Sequence, residues 1–391
     1  MWERIALPEV LAFREGPGIL AKDFRSTGIP LIRLAGLRGQ SLIEGCNFLD
    51  QADVVKRWSQ FRLRLGDTLL STSASLGEVA TVDSAGVGAV PYTGIIGFRP
   101  KDSRVAPEFI PLMLKEPSFK RQIEAMGVGS VMNHFGPSHL RHMSVTLPPR
   151  PEQQAIAEVL GALDDKIAAN TAFGATVDRY LATLLDEMAS GVTVTTLRSI
   201  ADVNRRSVKP QADGNLRYVD IASVTMGSFE YPEVRAWSDA PGRARRALSA
   251  GDTMWSTVRP NRRSHALNLE DDALLVASTG LAILSPREVG FAYLYEASRR
   301  PEFATYLENV AEGSAYPAVR SDRFLEAPVP DLPANYIHAF EDQAAPLRKL
   351  VASQTRENRI LAATRDALLP QLMSGKLRVR DAEAAASEAG A

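Results

Sequence analysis

From Pro151 onward the apolar and small residues fall at Ile156, Leu160, Leu163, Ile167, Asn170, Gly174, Val177, Leu181, Leu184 and Met188. The steps alternate four and three, a heptad seam that predicts one long amphipathic helix. Pro151 in its first turn and Gly191 past its end fit the usual start and stop chemistry. At 1.5 Å per residue, such a helix over 151–190 is roughly 60 Å long. A second helix is expected from about Ile337 to Ser374, with Leu347, Leu350, Leu361, Leu368 and Leu372 on its seam. Both seams are polar or small in the middle, at Asn170, Thr171 and Gly174 in the first and at Gln354, Glu357 and Asn358 in the second. Two helices of similar length with polar centres invite pairing. The residues expected to pair are Ile156, Leu160, Leu163, Ile167, Asn170, Val177, Leu181 and Leu184 on one side. Facing them would be Leu350, Gln354, Leu361 and Leu368. A buried Asn or Gln at such a seam costs stability but fixes register.

Elsewhere the period is shorter. Residues 1–150 carry short apolar runs, such as Ile29–Leu34, Arg62–Leu70 and Thr93–Phe98, separated by Gly, Pro, Asp and Ser. That rhythm predicts strands and turns, with helical pieces at Pro107–Lys115 and Phe119–Met126. Residues 192–335 read the same way, and the two stretches echo each other. GDTLLSTSAS starts at Gly66 and GDTMWSTVRP at Gly251, 185 residues on. Thr93-Gly94 returns as Thr279-Gly280, and Leu147-Pro148 as Val329-Pro330. A repeat this long is a whole domain rather than a solenoid unit. The expected class is therefore α+β: a mixed, strand-rich domain at 1–150, a helical spacer at 151–191, a second domain at 192–335 and a second spacer at 336–378. The small, acidic tail at 379–391 is expected to be disordered.

Composition narrows the chemistry. Lys and Arg number 45 against 46 Asp and Glu, a formal net charge of −1, so any nucleic-acid role must rest on local patches. Cys46 is alone, which excludes a disulfide framework or thiolate cluster. The opening MWERIALPEV lacks an apolar h-region, and the longest run without charged residues contains glycines, a proline and two histidines. The chain is expected to be cytoplasmic and without a membrane span.

No constellation for catalysis emerges. There is no phosphate-binding G-x-x-x-x-G-K-[ST], no dinucleotide G-x-G-x-x-G, no amino-methyltransferase loop and no paired-histidine zinc motif. No catalytic residue, metal or cofactor is expected. His134, His139, His142, His265 and His338 are scattered, and the two Gly-Asp pairs read as turns with Asp bonding nearby backbone. What remains is local basic charge. Arg243, Arg245, Arg246, Arg259, Arg262 and Arg263 meet a single acid, Asp252, between Pro241 and His265. In the first domain Lys56, Arg57, Arg62 and Arg64 precede the repeated strand. A solvated face is the plain alternative, but recurrence at matched places points to DNA contact. The candidate contacts also include Ser71 and Ser73 in the first repeated segment, and Ser256, Thr257 and Asn261 in the second. A matched pair of loops adds Ser130, Asn133 and His134, and Ser314, Tyr316 and Arg320.

PEQQAIAEVLGALDDKIAANT and LLPQLMSGKLRV closely resemble the two conserved helical regions of type I restriction-modification specificity subunits. ERIALPEVLAFREG and TTLRSIADVNRRS resemble the openings of that family's two target recognition domains. The resemblance implies an antiparallel coiled coil acting as a ruler between two readers of a split, asymmetric site on double-stranded DNA. It implies partners as well: two methyltransferase subunits that modify adenine, and restriction/translocase subunits that cut foreign DNA. The chain itself would be non-catalytic. Three alternatives stay open: the B-type specificity subunit of a fused restriction-methylation enzyme, a coiled-coil scaffold that does not bind DNA, and a stand-alone enzyme with an unfamiliar site.

Overall fold

The computed structural model describes residues 2–39, 41–73, 76–126, 135–314 and 316–390. The chain divides into two compact units, one of Met1–Ala168 with Glu357–Ala391 and one of Ala169–Arg356. Each unit contains one half of each long helix.

In unit 1, β1 (Glu3–Ala6) pairs antiparallel with β10 (Ser144–Leu147), joining the start of the unit to the end of its mixed part. One four-stranded sheet is formed by β2 (Leu11–Glu15), β6 (Thr68–Ser71), β7 (Val79–Thr81) and β9 (Ile95–Pro100), in the order β2-β9-β6-β7. A second contains β3 (Phe24–Arg25), β4 (Ile29–Ile32), β5 (Asn47–Leu49) and β8 (Val90–Pro91), in the order β3-β5-β4-β8. The apolar run expected as a strand from Arg62 joins the sheet only at Thr68, because Arg64–Asp67 forms the turn that opens the strand, Asp67 N donating to Arg64 O at 3.1 Å. Two helices follow, α1 (Ile110–Lys115) and α2 (Pro117–Ala125), each with proline in its first turn, where the missing N–H costs nothing.

Unit 2 repeats the plan. β11 (Val194–Thr196) pairs with β20 (Pro328–Pro330). The first sheet holds β12 (Ala201–Val203), β16 (Thr253–Ser256), β17 (His265–Leu267) and β19 (Leu281–Pro286), ordered β12-β19-β16-β17. The second holds β13 (Asn215–Val219), β14 (Val234–Ala236), β15 (Ala244–Ala247) and β18 (Leu275–Ser278), ordered β14-β13-β18-β15.

The repeated Gly-Asp is the same device in both units. Gly66 and Gly251 take φ of 81° and 92°, a left-handed conformation that glycine adopts without strain. The Asp67 carboxylate accepts from Arg64 N at 2.6 Å, and that of Asp252 from Ser249 N at 2.8 Å. The next strand is then fixed by Val82 N to Asp67 O (2.8 Å) and by Asn268 N to Asp252 O (2.9 Å). Both aspartates are buried, Asp67 against Arg99 at 2.6 Å and Asp252 against Ser285 Oγ at 2.6 Å. Burial pushes the Asp252 carboxyl above its ordinary value. These are turn residues, as the spacing predicts.

The long helices are α3 (Arg150–Met188) and, after α4 (Phe291–Ser298) and α5 (Pro301–Asn309), α6 (Ala334–Met373). In unit 1, Ile156, Leu160 and Leu163 of α3 share one core with Leu361, Leu368 and Leu372 of α6, and Ile167 packs against it. In unit 2, Val177, Leu181 and Leu185 share another with Ile337, Phe340 and Ala344, and Leu184 is half-buried at its margin. Ion pairs run in opposite order along the two helices. Asp164 meets Arg365 at 2.6 Å and Lys166 meets Glu357 at 3.5 Å in unit 1, while Asp178 meets Arg348 at 2.6 Å in unit 2. The helices are antiparallel. Asn170, expected at the polar centre, is 5% exposed, and Gln354 is half-buried.

Leu350 departs from its expected place on the seam. It is 46% exposed, and the seam passes through Leu347 and Val351 instead. Two apolar residues one apart cannot both face a partner at 3.5 residues per turn. The tail also differs from expectation: Val379–Ala389 forms a helix, α7, with Ala382 fully buried in the unit 1 core. Its alanines favour helix, and one small-residue face finds something to pack on.

Each long helix is seated on its own unit by one polar side chain near its start. Gln153 is fully buried, accepting from Ala106 N at 2.9 Å and donating to the carbonyls of Arg104 and Pro148 at 2.8 Å each. Glu341 accepts from Ala292 N (3.2 Å) and Tyr293 N (2.8 Å), capping the N-terminus of α4.

Candidate nucleic-acid interface

In unit 2 the candidate residues after β16 converge on one surface. Thr257 N donates to Gly280 O at 2.9 Å, Arg259 N to Pro317 O at 2.7 Å and Val319 N to Thr257 O at 2.7 Å. Main-chain bonds thus lace the 257–263 loop to the 312–319 loop. Arg259 and Arg263 adopt φ of 51° and 52°, on either side of the 3₁₀ turn Pro260–Arg262. Left-handed non-glycine residues cost of order 1–3 kcal/mol each, so the surrounding structure over-determines this turn. Its shape puts the Arg259 guanidinium over the Tyr316 ring at 4.8 Å, with Tyr316 69% exposed and Asn261 and Arg262 exposed beside it. Ser314 is exposed, Arg263 pairs with Glu308 at 3.5 Å, and Arg320 pairs with Asp322 at 3.4 Å.

A buried histidine supports the turn. His265 Nδ1 donates to Arg263 O at 2.7 Å, and its ring stacks on Trp255 at 4.8 Å. Burial lowers its pKa to about 4, so the ring is neutral at ordinary pH.

The other candidates of the unit 2 patch stand differently. Arg243 is exposed, and its carbonyl accepts from Thr279 N at 2.9 Å, near the same corner. Arg245 and Arg246 lie half-buried on β15, where Arg245 Nη1 donates back to Ala244 O. Ser256 and Thr257 are not surface contacts: both are buried, Ser256 Oγ bonding Val258 O at 2.8 Å and Thr257 Oγ1 bonding Gly280 O at 2.9 Å. They hold the loop that carries Arg259.

In unit 1, Ser71 is likewise buried, its Oγ accepting from Glu78 N at 2.8 Å. A strand covered on both faces hides its polar side chains along with the apolar ones. Arg57 stacks on Trp58 at 4.1 Å and reaches the buried Asp23 at 3.1 Å, a structural commitment. Arg62 caps the Gly88 carbonyl at 3.2 Å, while Lys56 and Arg64 are exposed. Ser130, Asn133 and His134 lie outside the described residues. Ser73 lines a cleft of about 550 Å³ that also holds Arg33, Asn47, Tyr92 and Thr93. The sequence reading missed Arg33, Asn47 and Tyr92. The available signal was position: Tyr92 immediately precedes the matched Thr93-Gly94, where the second copy has Ser278.

It also missed a buried ionic cluster in unit 2. Arg348 Nε donates to Glu296 Oε1 at 2.8 Å, and both Arg348 and Arg299 (2.8 Å) reach Asp178. Glu296 is 1% exposed and Arg348 5%. Burial pushes the Asp178 carboxyl up, but the two guanidiniums outweigh it and hold it below the usual value. Among the described residues no group of acids, histidines and cysteines is arranged to hold a metal, and no helix is long and apolar enough to cross a membrane.

Comparison with known proteins adds the following. The sequence model described as "Type I restriction modification DNA specificity domain" matches residues 1–177. A specificity subunit of the type I restriction enzyme MjaVIII from Methanocaldococcus jannaschii is 23% identical over 174 residues. That match spans 42% of this chain and 40% of the relative's length. The crystal structure of a type I restriction-modification system S subunit from M. genitalium superposes with a TM-score of 0.56 at 15% identity, covering 95% of this chain and 96% of the other. Likeness at that identity speaks to fold, and here it extends over both units. By sequence across residues 1–177 the chain is similar to the DNA specificity domain of type I restriction-modification systems, and by fold across nearly its whole length it is similar to a solved S subunit of such a system.

Proposed function

We propose that the chain is a non-catalytic reader of double-stranded DNA in which each unit recognises one half of an asymmetric bipartite site. The long helices would carry the partners: methyltransferase subunits that modify adenine, and nuclease/translocase subunits. The observation that carries this reading is the laced pair of loops in unit 2, with Arg259 held over the exposed Tyr316 on a strained turn. A half-buried guanidinium held over an exposed aromatic ring suits base-edge and backbone contact in a groove. The units share a framework but fill it differently, which fits two unlike half-sites rather than the palindrome expected of identical readers. The DNA specificity domain matched over residues 1–177 supports the same reading for unit 1.

The test is duplex binding and methylation mapping with a methyltransferase subunit present. The complex should methylate an asymmetric split motif. Arg259→Ala should weaken binding by about 1–3 kcal/mol and relax one position in one half only. Arg262→Ala should weaken binding to all sequences and flatten its salt dependence. Absence of any sequence-selective binding by the complex would overturn the proposal.

A further inference from the structure

The two units can be aligned strand by strand at one place that the repeat leaves chemically different. In unit 1, β4 and β8 run parallel, with Leu31 opposite Val90 and Ile32 opposite Pro91. In unit 2, β13 and β18 run parallel, with Tyr218 opposite Val276 and Val219 opposite Ala277. Each parallel pair leads into the Thr-Gly corner, tied identically to the end of the Gly-Asp strand: Thr72 N to Gly94 O at 2.8 Å, and Thr257 N to Gly280 O at 2.9 Å. At the carboxyl end of that frame unit 2 has Asp220 and Ser278. Asp220 is occupied as a cap, accepting from Ala222 N at 2.9 Å. Unit 1 has Arg33 and Tyr92 there, with the guanidinium over the phenol ring at 4.5 Å.

Unit 1 therefore holds an arginine-tyrosine stack against its Thr-Gly corner, as unit 2 does with Arg259 and Tyr316 at 4.8 Å. The chain reaches the two stacks from different loops. The Arg33 stack lies in the cleft of about 550 Å³ lined by Asn47, Ser73 and Thr93. Arg33 is half-buried, and its Nη1 donates to the neutral Asn47 Oδ1 at 2.6 Å. A guanidinium has five N–H donors in a fixed plane, and this plane is set by the ring beneath it and by Asn47. A planar, pre-oriented donor fork matches the O6 and N7 acceptors of guanine in the major groove.

We infer that Arg33, oriented by Tyr92 and Asn47, is a specificity-determining residue that reads a guanine in the half-site of unit 1. This rests on the DNA-reading proposal above. The experiment uses the full chain with its methyltransferase subunit and duplexes carrying the mapped motif, each base pair of the unit 1 half-site being replaced in turn. Wild type should lose roughly 5- to 150-fold in affinity when one particular G·C pair is replaced. Arg33→Gln should bind all replacements at that position alike. Arg33→Lys, which keeps the charge but not the fork, should do the same. Discrimination in the other half-site should stay unchanged in both variants, which serves as the control for folding and assembly. The inference is overturned if both variants discriminate as wild type does. It is equally overturned if they lose affinity uniformly with a shallower salt dependence, the mark of a phosphate contact. A wild-type complex with no sequence selectivity sinks the DNA-reading proposal itself. Selectivity that survives Arg33→Gln sinks only this inference.

Discussion

At the scale of single residues, the polar side chains of the repeated segments divide by burial. Ser71, Ser256 and Thr257 read in the sequence like exposed groups on a half-buried strand, yet all three are buried and bonded to main chain. Their hydroxyls satisfy loop backbone, while beyond them the exposed Tyr316 ring carries the half-buried Arg259 guanidinium. His265 shows the same division of labour and has a measurable signature. Its pKa is lowered by burial to about 4 from an ordinary 6.5, so the unfolded chain takes up a proton in a range where the folded chain does not. The stability it contributes is fully present above pH 6.5 and is lost as pH falls toward 4, on the order of 3 kcal/mol in all. Unfolding midpoints measured between pH 7 and 4 should fall less steeply for His265→Gln than for wild type. Parallel curves would show that His265 titrates normally.

At the scale of elements, the seam of α3 was legible because a 3.5-residue period has few alternatives. The α6 seam was legible in outline but not in detail. Leu350 is apolar and exposed, whereas Arg348 is charged and buried, the reverse of what residue type suggests. Arg348 is buried because Glu296 and Asp178 wait for it from α4 and α3, and those partners are distant in sequence. Removing one member of such a cluster leaves an uncompensated buried charge. Arg348→Met should therefore destabilise unit 2 by about 3–5 kcal/mol, while the double variant Glu296→Leu with Arg348→Met should recover most of that. Denaturant titration of both variants checks it. A double variant as unstable as the single would mean that the arginine matters for packing rather than charge.

At the scale of the whole molecule, the two antiparallel helices of about forty residues are the elements common to both units, and we propose that they set the length of unread DNA between half-sites. Residues in a helix rise about 1.5 Å and base pairs about 3.4 Å. Four residues inserted after Ala168, with four more after Arg356, add roughly 6 Å to each helix while leaving both cores intact. Methylation mapping should then return the same two half-sites with one or two more base pairs between them. An active variant with an unchanged spacer would show that the helices are not the ruler.

The sequence by itself determined the two long helices, the doubled strand-rich plan and the Gly-Asp turns. Each rests on local chemistry: a heptad period, a repeated spacing, a glycine where φ must be positive. Tertiary structure alone decided that the tail packs as a helix, that the repeated serines are hidden, and that Arg33 meets Tyr92 across 59 positions of chain. Burial and stacking depend on which strands lie side by side, and a parallel pair such as β4 and β8 is joined through a long connection that leaves no local trace.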